Sequence, residues 1–448
     1  MSQPRPPVTP PEPWAFPEPV EHVFPNGLRL LAYDVPGQYV ISVRTAIPLP
    51  LVAEPRAKEG IATLMARLLD EGTARHTPEE FAELLERKGI ALGAGMSESG
   101  LGVDLDVPKR HLPDALDLLR QALAEAAFPE AEVQRHVRTR LAEIEQERAL
   151  APHRAAREFI ATYFDPAERA SRPTAGSAET IGAITREDIV AFHQQQVGAR
   201  GITVAVAGDL SGVDFVSLVG ETLGAWTGAE GRTVTAEEPP RRAPNAARLV
   251  IVDRPGSVQT ELAVGGSGPD RRVAGWAAYP VLSFVIGGSP TARLDAVLRE
   301  DKGYTYGIRS SFRPRRRGGL FMTTGSVRAD VTAEALRMLV GLLNAAREGF
   351  SEEEVRAGVD FLGKTAPGRY ATADSIADEA ATMALDDLDT TFTTRTLQEM
   401  RDLTPADLAT AYSRFADGAW TIILVGDASV IAEEVKSLGF GDVAVVPA

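Results

Sequence analysis

Cysteine is absent from all 448 residues, which excludes thiolate catalysis, disulfide bridges and every zinc site that needs sulfur. Histidine is scarce. Its six positions, His22, His76, His111, His136, His153 and His193, all lie in the first half, and no two stand four apart as a helical ligand pair would. No stretch offers the roughly 18 uninterrupted apolar residues of a membrane span. Positive charge is in deficit: the formal net charge is -15, which argues against nucleic acid or an anionic membrane as partner, because phosphate binding needs a positive footprint. The opening stretch MSQPRPPVTPPEPWAFPEP lacks the basic start and apolar run of an export signal. Residues 1–19 therefore read as a proline-rich extended arm, and a cytoplasmic location is expected.

What is present is a balanced globular composition, 44% hydrophobic and 24% charged, in a chain too long for one ordinary core. It repeats itself. TREDIVAFHQQQV followed by ITVAVAGDLSGV is echoed, after an offset of about 219 residues, by TPADLATAYSRF followed by WTIILVGDASVI. The helix-like RHLPDALDLLRQALAEAAFPEAEV similarly resembles VTAEALRMLVGLLNAAREGFSEEEV. Three blocks agreeing in order and spacing indicate a duplicated unit. Thr185 is an N-cap candidate with Glu187 and Asp188 in the first turn. The runs ITVAVAG and TIILVG, each stopped by Gly-Asp, have the form of buried strands. Residues 227–247, without apolar periodicity and with Pro239, Pro240 and Pro244, read as a linker. The expectation is two similar α+β domains, 20–226 and 248–448, each a mainly antiparallel sheet with helices packed on it.

GIATLMARLLDEGT at 60–73 predicts a helix with Ile61, Leu64, Met65, Leu68 and Leu69 on one side and Gly72 near its end. Its frame resembles the helix bearing the inverted motif His-x-x-Glu-His in the pitrilysin/insulinase family of zinc peptidases, particularly the branch that contains mitochondrial processing peptidase. In that motif two histidines hold the metal and the glutamate between them is the general base. Here the histidine positions carry Thr63 and Arg67, and the glutamate position carries Ala66. Threonine, alanine and a cationic arginine supply neither ligands nor base, so no zinc is expected in this chain. The family's remaining glutamate ligand falls near Glu143, whose ordinary reading is a solvated helix side chain. A salt bridge from Arg67 to Glu143 would replace the lost metal charge.

SFVIGGSPTARLDAVLREDKGYTYGIRSSF at 283–312 resembles the duplicated counterpart of that region, with a Gly-Gly turn, a helix starting near Ser289, Pro290 and Thr291, and an Arg-x6-Tyr pair. By that resemblance Arg299 and Tyr306 bind substrate and polarise the scissile carbonyl, and Gly287, Gly288 and Ser289 contact substrate. Arginine and a phenol can both donate to one developing oxyanion. The plainer alternative has Arg299 ending a helix beside Glu300 and Asp301, and Tyr306 packed in a strand. IGGSP lacks the lysine and spacing of a phosphate loop. RPRRRGG at 313–319 reads as a hairpin tip or a patch facing an acidic partner. ALGAGMSESGLGVDLDV at 91–107 reads as a glycine-rich bend into an alternating strand, in a region where the family pairs extended peptide at a sheet edge.

The resemblance implies half of a clamshell: a zinc-less subunit of a heterodimeric metallopeptidase, inactive alone, whose homologous partner carries His-x-x-Glu-His and the zinc, and whose substrate is a peptide or small unfolded polypeptide. The alternative is a catalytically silent scaffold subunit of the same fold.

Overall fold

The computed structural model describes residues 9, 12–228 and 238–447. The linker segment 229–237 and the arm residues 1–8, 10 and 11 lie outside the described residues. The strands are β1 Val20–Val23, β2 Arg29–Asp34, β3 Val40–Ile47, β4 Ala91–Met96, β5 Leu101–Pro108 and β6 Thr203–Gly208, then β7 Leu249–Asp253, β8 Gln259–Gly268, β9 Arg309–Pro314, β10 Gly319–Arg328, β11 Thr421–Gly426 and β12 Val443–Pro447. They form two six-stranded sheets, ordered β1-β2-β6-β3-β5-β4 and β12-β7-β11-β8-β10-β9.

The duplication is visible strand by strand. β2 pairs parallel with β6, as β7 does with β11. The β6-β3-β5-β4 run is antiparallel throughout, as is β11-β8-β10-β9. Only the outer edge differs: β1 runs antiparallel to β2, whereas β12 runs parallel to β7. The repeated helices carry the same start signal. Thr185 and Thr404 each accept from the backbone N–H three residues on, and the carboxylates of Asp188 and Asp407 return to the cap N–H. Such reciprocal caps satisfy two orphan donors at once. β6 and β11 are buried along their whole length, as their β-branched apolar runs require.

Packing does not respect the halves. The Ala151–Tyr163 helix places Ala155, Phe159 and Tyr163 against Val250, Ala263, Met322 and Ile423 of the second sheet. In return, the Ala373–Leu385 helix lays Ile376, Ala377 and Ala380 on the first sheet, in one core with Leu31, Tyr33 and Ala205. Its small residues at helical spacing let it lie close to the strands. Arg44 on β3, almost buried, donates to Asp378 of that helix at 2.6 Å and to Asp106 at 3.1 Å. The amino-terminal arm is anchored as well. Trp14 stacks on Tyr370 with centroids 5.6 Å apart, and Phe16, 2% exposed, donates its N–H to Thr394. The apolar 278–301 stretch, long enough in composition to cross a bilayer, is interrupted by extended backbone at Ser289 and packed into the second core.

Candidate functional site

The helix at the metal position is shorter than the sequence predicts. It spans Ile61–Arg67, with a turn through residues 68–70, and Gly72 lies beyond it. Gly60 begins it at φ 97°, a conformation that suits glycine. The side chain of Glu54, fully buried, accepts the N–H groups of Gly60 and Ala62 at 3.0 Å each, and its other oxygen takes Arg169 at 2.8 Å. Burial pushes the Glu54 carboxyl up despite these donors.

Of the three positions Thr63, Ala66 and Arg67, Arg67 meets Glu143, as part of a charge network. Arg67 donates from Nη1 to both Glu143 oxygens at 2.9 Å. Arg140, its side chain 4% exposed, reaches Glu143 at 3.0 Å and grips Glu147 with two bonds of 2.6 and 3.0 Å. Burial alone would raise the Glu143 carboxyl, but hydrogen bonds and charge from Arg140 and Arg67 hold it below the usual range. Ala66 lies in the core, and the Thr63 hydroxyl is buried without a partner. This donor set does not fit zinc: a guanidinium already claims the one carboxylate, and the neighbours are a methyl and an alcohol. Among the described residues no group of three or more histidine, aspartate or glutamate side chains is placed to hold a metal.

The Arg299–Tyr306 stretch is built differently. Its helix begins at Arg293, preceded by a turn in which Ala292 N–H reaches Ser289 O, rather than at Ser289–Thr291. It widens over Ala296–Asp301 into a π-type turn, with Lys302 N–H donating to Val297 O at 3.0 Å. Such turns recur at functional sites. Gly303, at φ 62°, reverses the chain. Arg299 lies in the last turn, 40% exposed and 3.5 Å from Glu300. Tyr306 is not packed in a strand; it precedes β9 and is 95% exposed. The connection beneath it is fixed. Asp295, fully buried, takes Ile308 N–H at 2.7 Å and Arg309 at 2.6 Å, one on each oxygen. Tyr304 donates its hydroxyl to Glu334 at 2.7 Å, and Thr305 accepts from Gly307 N–H. No hydrogen bond joins Arg299 to Tyr306 among the described residues.

Gly287 has a packing reason: a Cβ there would lie 2.6 Å from Ser310 Cβ on β9, so only glycine lets the turn back onto the strand behind the loop. Gly287 and Ser289 are buried and only Gly288 is exposed, so an open backbone contact is left at Gly288 alone. The arginine run does form the β9–β10 tip, but it is no exposed patch. The side chains of Arg315, Arg316 and Arg317 are 13, 5 and 12% exposed. Arg315 pairs with Glu98 at 2.7 Å and covers the Phe164 ring, while Arg316 and Arg317 share Asp387. Sequence reading missed Asp295, Arg140 and Glu54. The partners of Asp295 and the arginine partner of Glu54 lie 13, 14 and 115 residues away, where no local pattern marks them, whereas Arg140 meets Glu143 and Glu147 three and seven residues on in its own helix, a spacing that could have found it.

Fold and site together define a duplicated two-lobed peptidase-type chain with its metal position filled by an ion-pair network. A crystal structure of a peptidase M16 inactive domain from Pseudomonas fluorescens superposes with a TM-score of 0.85 at 21% identity, covering 92% of this chain and 98% of the other. A protease from Helicobacter pylori gives 0.82 at 18% identity, covering 91% and 99%. In sequence, the insulinase (peptidase family M16) profile matches residues 46–172, and the peptidase M16 inactive domain profile matches residues 183–362. The chain belongs to this pitrilysin/insulinase family. Among its relatives is an uncharacterized zinc protease of Mycobacterium tuberculosis, 26% identical over 77% of this chain and 79% of the relative. The mitochondrial-processing peptidase subunit beta of Dictyostelium discoideum is 25% identical over 44% and 42%.

Proposed function

We propose that this chain is the non-zinc-binding subunit of a two-chain M16 peptidase, presenting Arg299 and Tyr306 to a homologous subunit that carries His-x-x-Glu-His and the metal. The observation that carries this reading is Tyr306. A phenol 95% exposed contributes nothing to the core, yet a buried carboxylate grips the chain just beyond it, one oxygen taking the Ile308 N–H and the other the Arg309 guanidinium. Preorganised donors of this kind serve a group from outside the chain. The filled metal position supports the same division of labour. The partner supplies the metal-activated water, while Arg299 and Tyr306 stabilise the charge that develops on the scissile carbonyl of a peptide.

Reconstitution with an M16 subunit bearing an intact zinc motif tests it. The complex is expected to cleave unfolded peptides, and this chain alone is not. Arg299→Ala and Tyr306→Phe should each lower kcat/KM of the complex; unchanged values would refute the role. A chain that assembles only with subunits lacking the zinc motif would instead be a scaffold.

A further inference from the structure

Away from both regions, a cavity of about 530 Å³ opens between the β4–β5 turn and the helices Glu352–Arg369, Ala373–Leu385 and Phe392–Arg401. Neither Arg67, Glu143, Arg299 nor Tyr306 lines it. Its volume is that of a small-molecule site. Trp276, Tyr370 and Phe392 supply aromatic walls, and two carboxylates, Glu379 and Asp386, supply the polar floor. The side chains of Glu379 and Asp386 are only 11 and 9% exposed, and Arg271 between them is 12% exposed.

The hydrogen bonds here are one-sided. Arg271 at 2.7 Å and Thr393 at 2.6 Å both donate to Glu379 Oε1. Ser99 donates to Asp386 Oδ1 at 2.9 Å. Among the described residues Glu379 Oε2 receives no donor, and the nearest cation to Asp386 Oδ2 is Arg271 at 3.7 Å, beyond hydrogen-bond reach. Arg271 lies 4.8 Å over the Phe392 ring. Each of the two carboxylates therefore keeps one oxygen that no donor reaches among the described residues, a costly arrangement at this depth unless a further donor completes it. Burial pushes the Asp386 carboxyl up, in keeping with that cost. Two further cations stand near without reaching these oxygens. The charge of Arg316 bears on Asp386 while its bonds go to Asp387, and Arg369, beside the Tyr370 ring, is exposed, where solvent screens it.

We propose that this cavity binds an organic ammonium group carried on an apolar body. Its N–H groups donate to Glu379 Oε2 and Asp386 Oδ2, and its apolar body rests against Trp276 and Tyr370, which offer it aromatic contact. The ligand is a free arylalkylamine or a lysine side chain beside an aromatic residue, since both present the same chemistry.

Calorimetry on the full chain decides between these and tests the whole. Phenethylamine should bind at least about tenfold more tightly than 2-phenylethanol, which has the same body but no charge, and phenylacetate should not bind. An acetylated, amidated Phe-Lys-Phe peptide forms the second arm: whichever of amine and peptide binds identifies the source, and binding of neither overturns the proposal. Glu379→Gln should weaken the amine about tenfold. If that variant unfolds because Arg271 loses its partner, Thr396→Phe fills the same cavity from a position whose hydroxyl makes no hydrogen bond among the described residues, and should abolish binding. Equal affinity for amine and alcohol, or amine binding that survives Thr396→Phe, would overturn the assignment.

Discussion

The 61–67 helix and the 293–306 segment occupy comparable places in the two repeats and have diverged in opposite senses. In the first, the charges are paired among themselves: Glu54 caps the helix, and Arg67 and Arg140 both bond Glu143. In the second, a buried aspartate fixes the chain at Ile308 and Arg309, and the loop before it leaves Tyr306 exposed and Arg299 40% exposed. One repeat has spent its polar groups on stability, while the other has spent a buried carboxylate on keeping donors exposed. Loss of metal ligands in one lobe therefore does not imply loss of function in the other.

The comparison breaks most severely at Glu54. Glu54→Ala leaves Arg169 buried and removes the cap from two N–H groups, so a loss of about 3–5 kcal/mol is expected in denaturant unfolding. A loss below about 1 kcal/mol would mean that the network does not hold the helix. On the open side the expectation reverses. Tyr306→Phe should change stability by less than about 0.5 kcal/mol, while kcat/KM of the reconstituted complex falls about 10²- to 10³-fold. A stability loss comparable to that of Glu54→Ala would make Tyr306 a structural residue. Gly287→Ala should cost about 1–3 kcal/mol by forcing the turn off Ser310, with a lowered Tm as the readout; an unchanged Tm would mean the contact relaxes freely.

The smallest effect sharpens the contrast through pH. Because the folded Glu143 carboxyl is held below its ordinary value of 4.5, its stabilisation is present above that pH. It is lost as pH falls through 4.5 toward the folded value. Arg67→Met weakens this pairing, so the stability gap between the parent and Arg67→Met should narrow on acidification below about pH 4.5. A gap independent of pH would remove the charge pairing from the explanation.

Much of this was legible in the sequence, for physical reasons that differ by feature. The repeated Thr-x-x-Asp caps and the β-branched runs ending in Gly-Asp are local signals, and they place matching helices and strands in both sheets. The Arg67–Glu143 pair was foreseeable because a lost ligand set left one carboxylate opposite a new cation. The exposure of Tyr306 was not foreseeable, since Tyr304, Thr305 and Tyr306 are residue types of a strand, and the Asp295 bonds that fix the chain at Ile308 and Arg309 come from 13 and 14 residues away. The arginine run was legible as a hairpin tip, but what covers it was not, because Glu98 and Asp387 meet its three consecutive cations from far along the chain. The alanine-rich stripe of the 373–385 helix marks it as buried without saying against which sheet.

That stripe governs how the chain must be made. The first sheet receives its covering helix only when residues 373–385 have been synthesised, and the Ala151–Tyr163 helix waits for a second sheet whose first strand begins only at Leu249. Neither repeat can complete itself as the polypeptide emerges, and such long-range pairings slow folding. A gene cut at the linker should yield two fragments that are insoluble apart and become soluble when expressed together. That outcome would make the duplicated molecule a single cooperative unit, whose ancestry is no longer a line along which it can be divided.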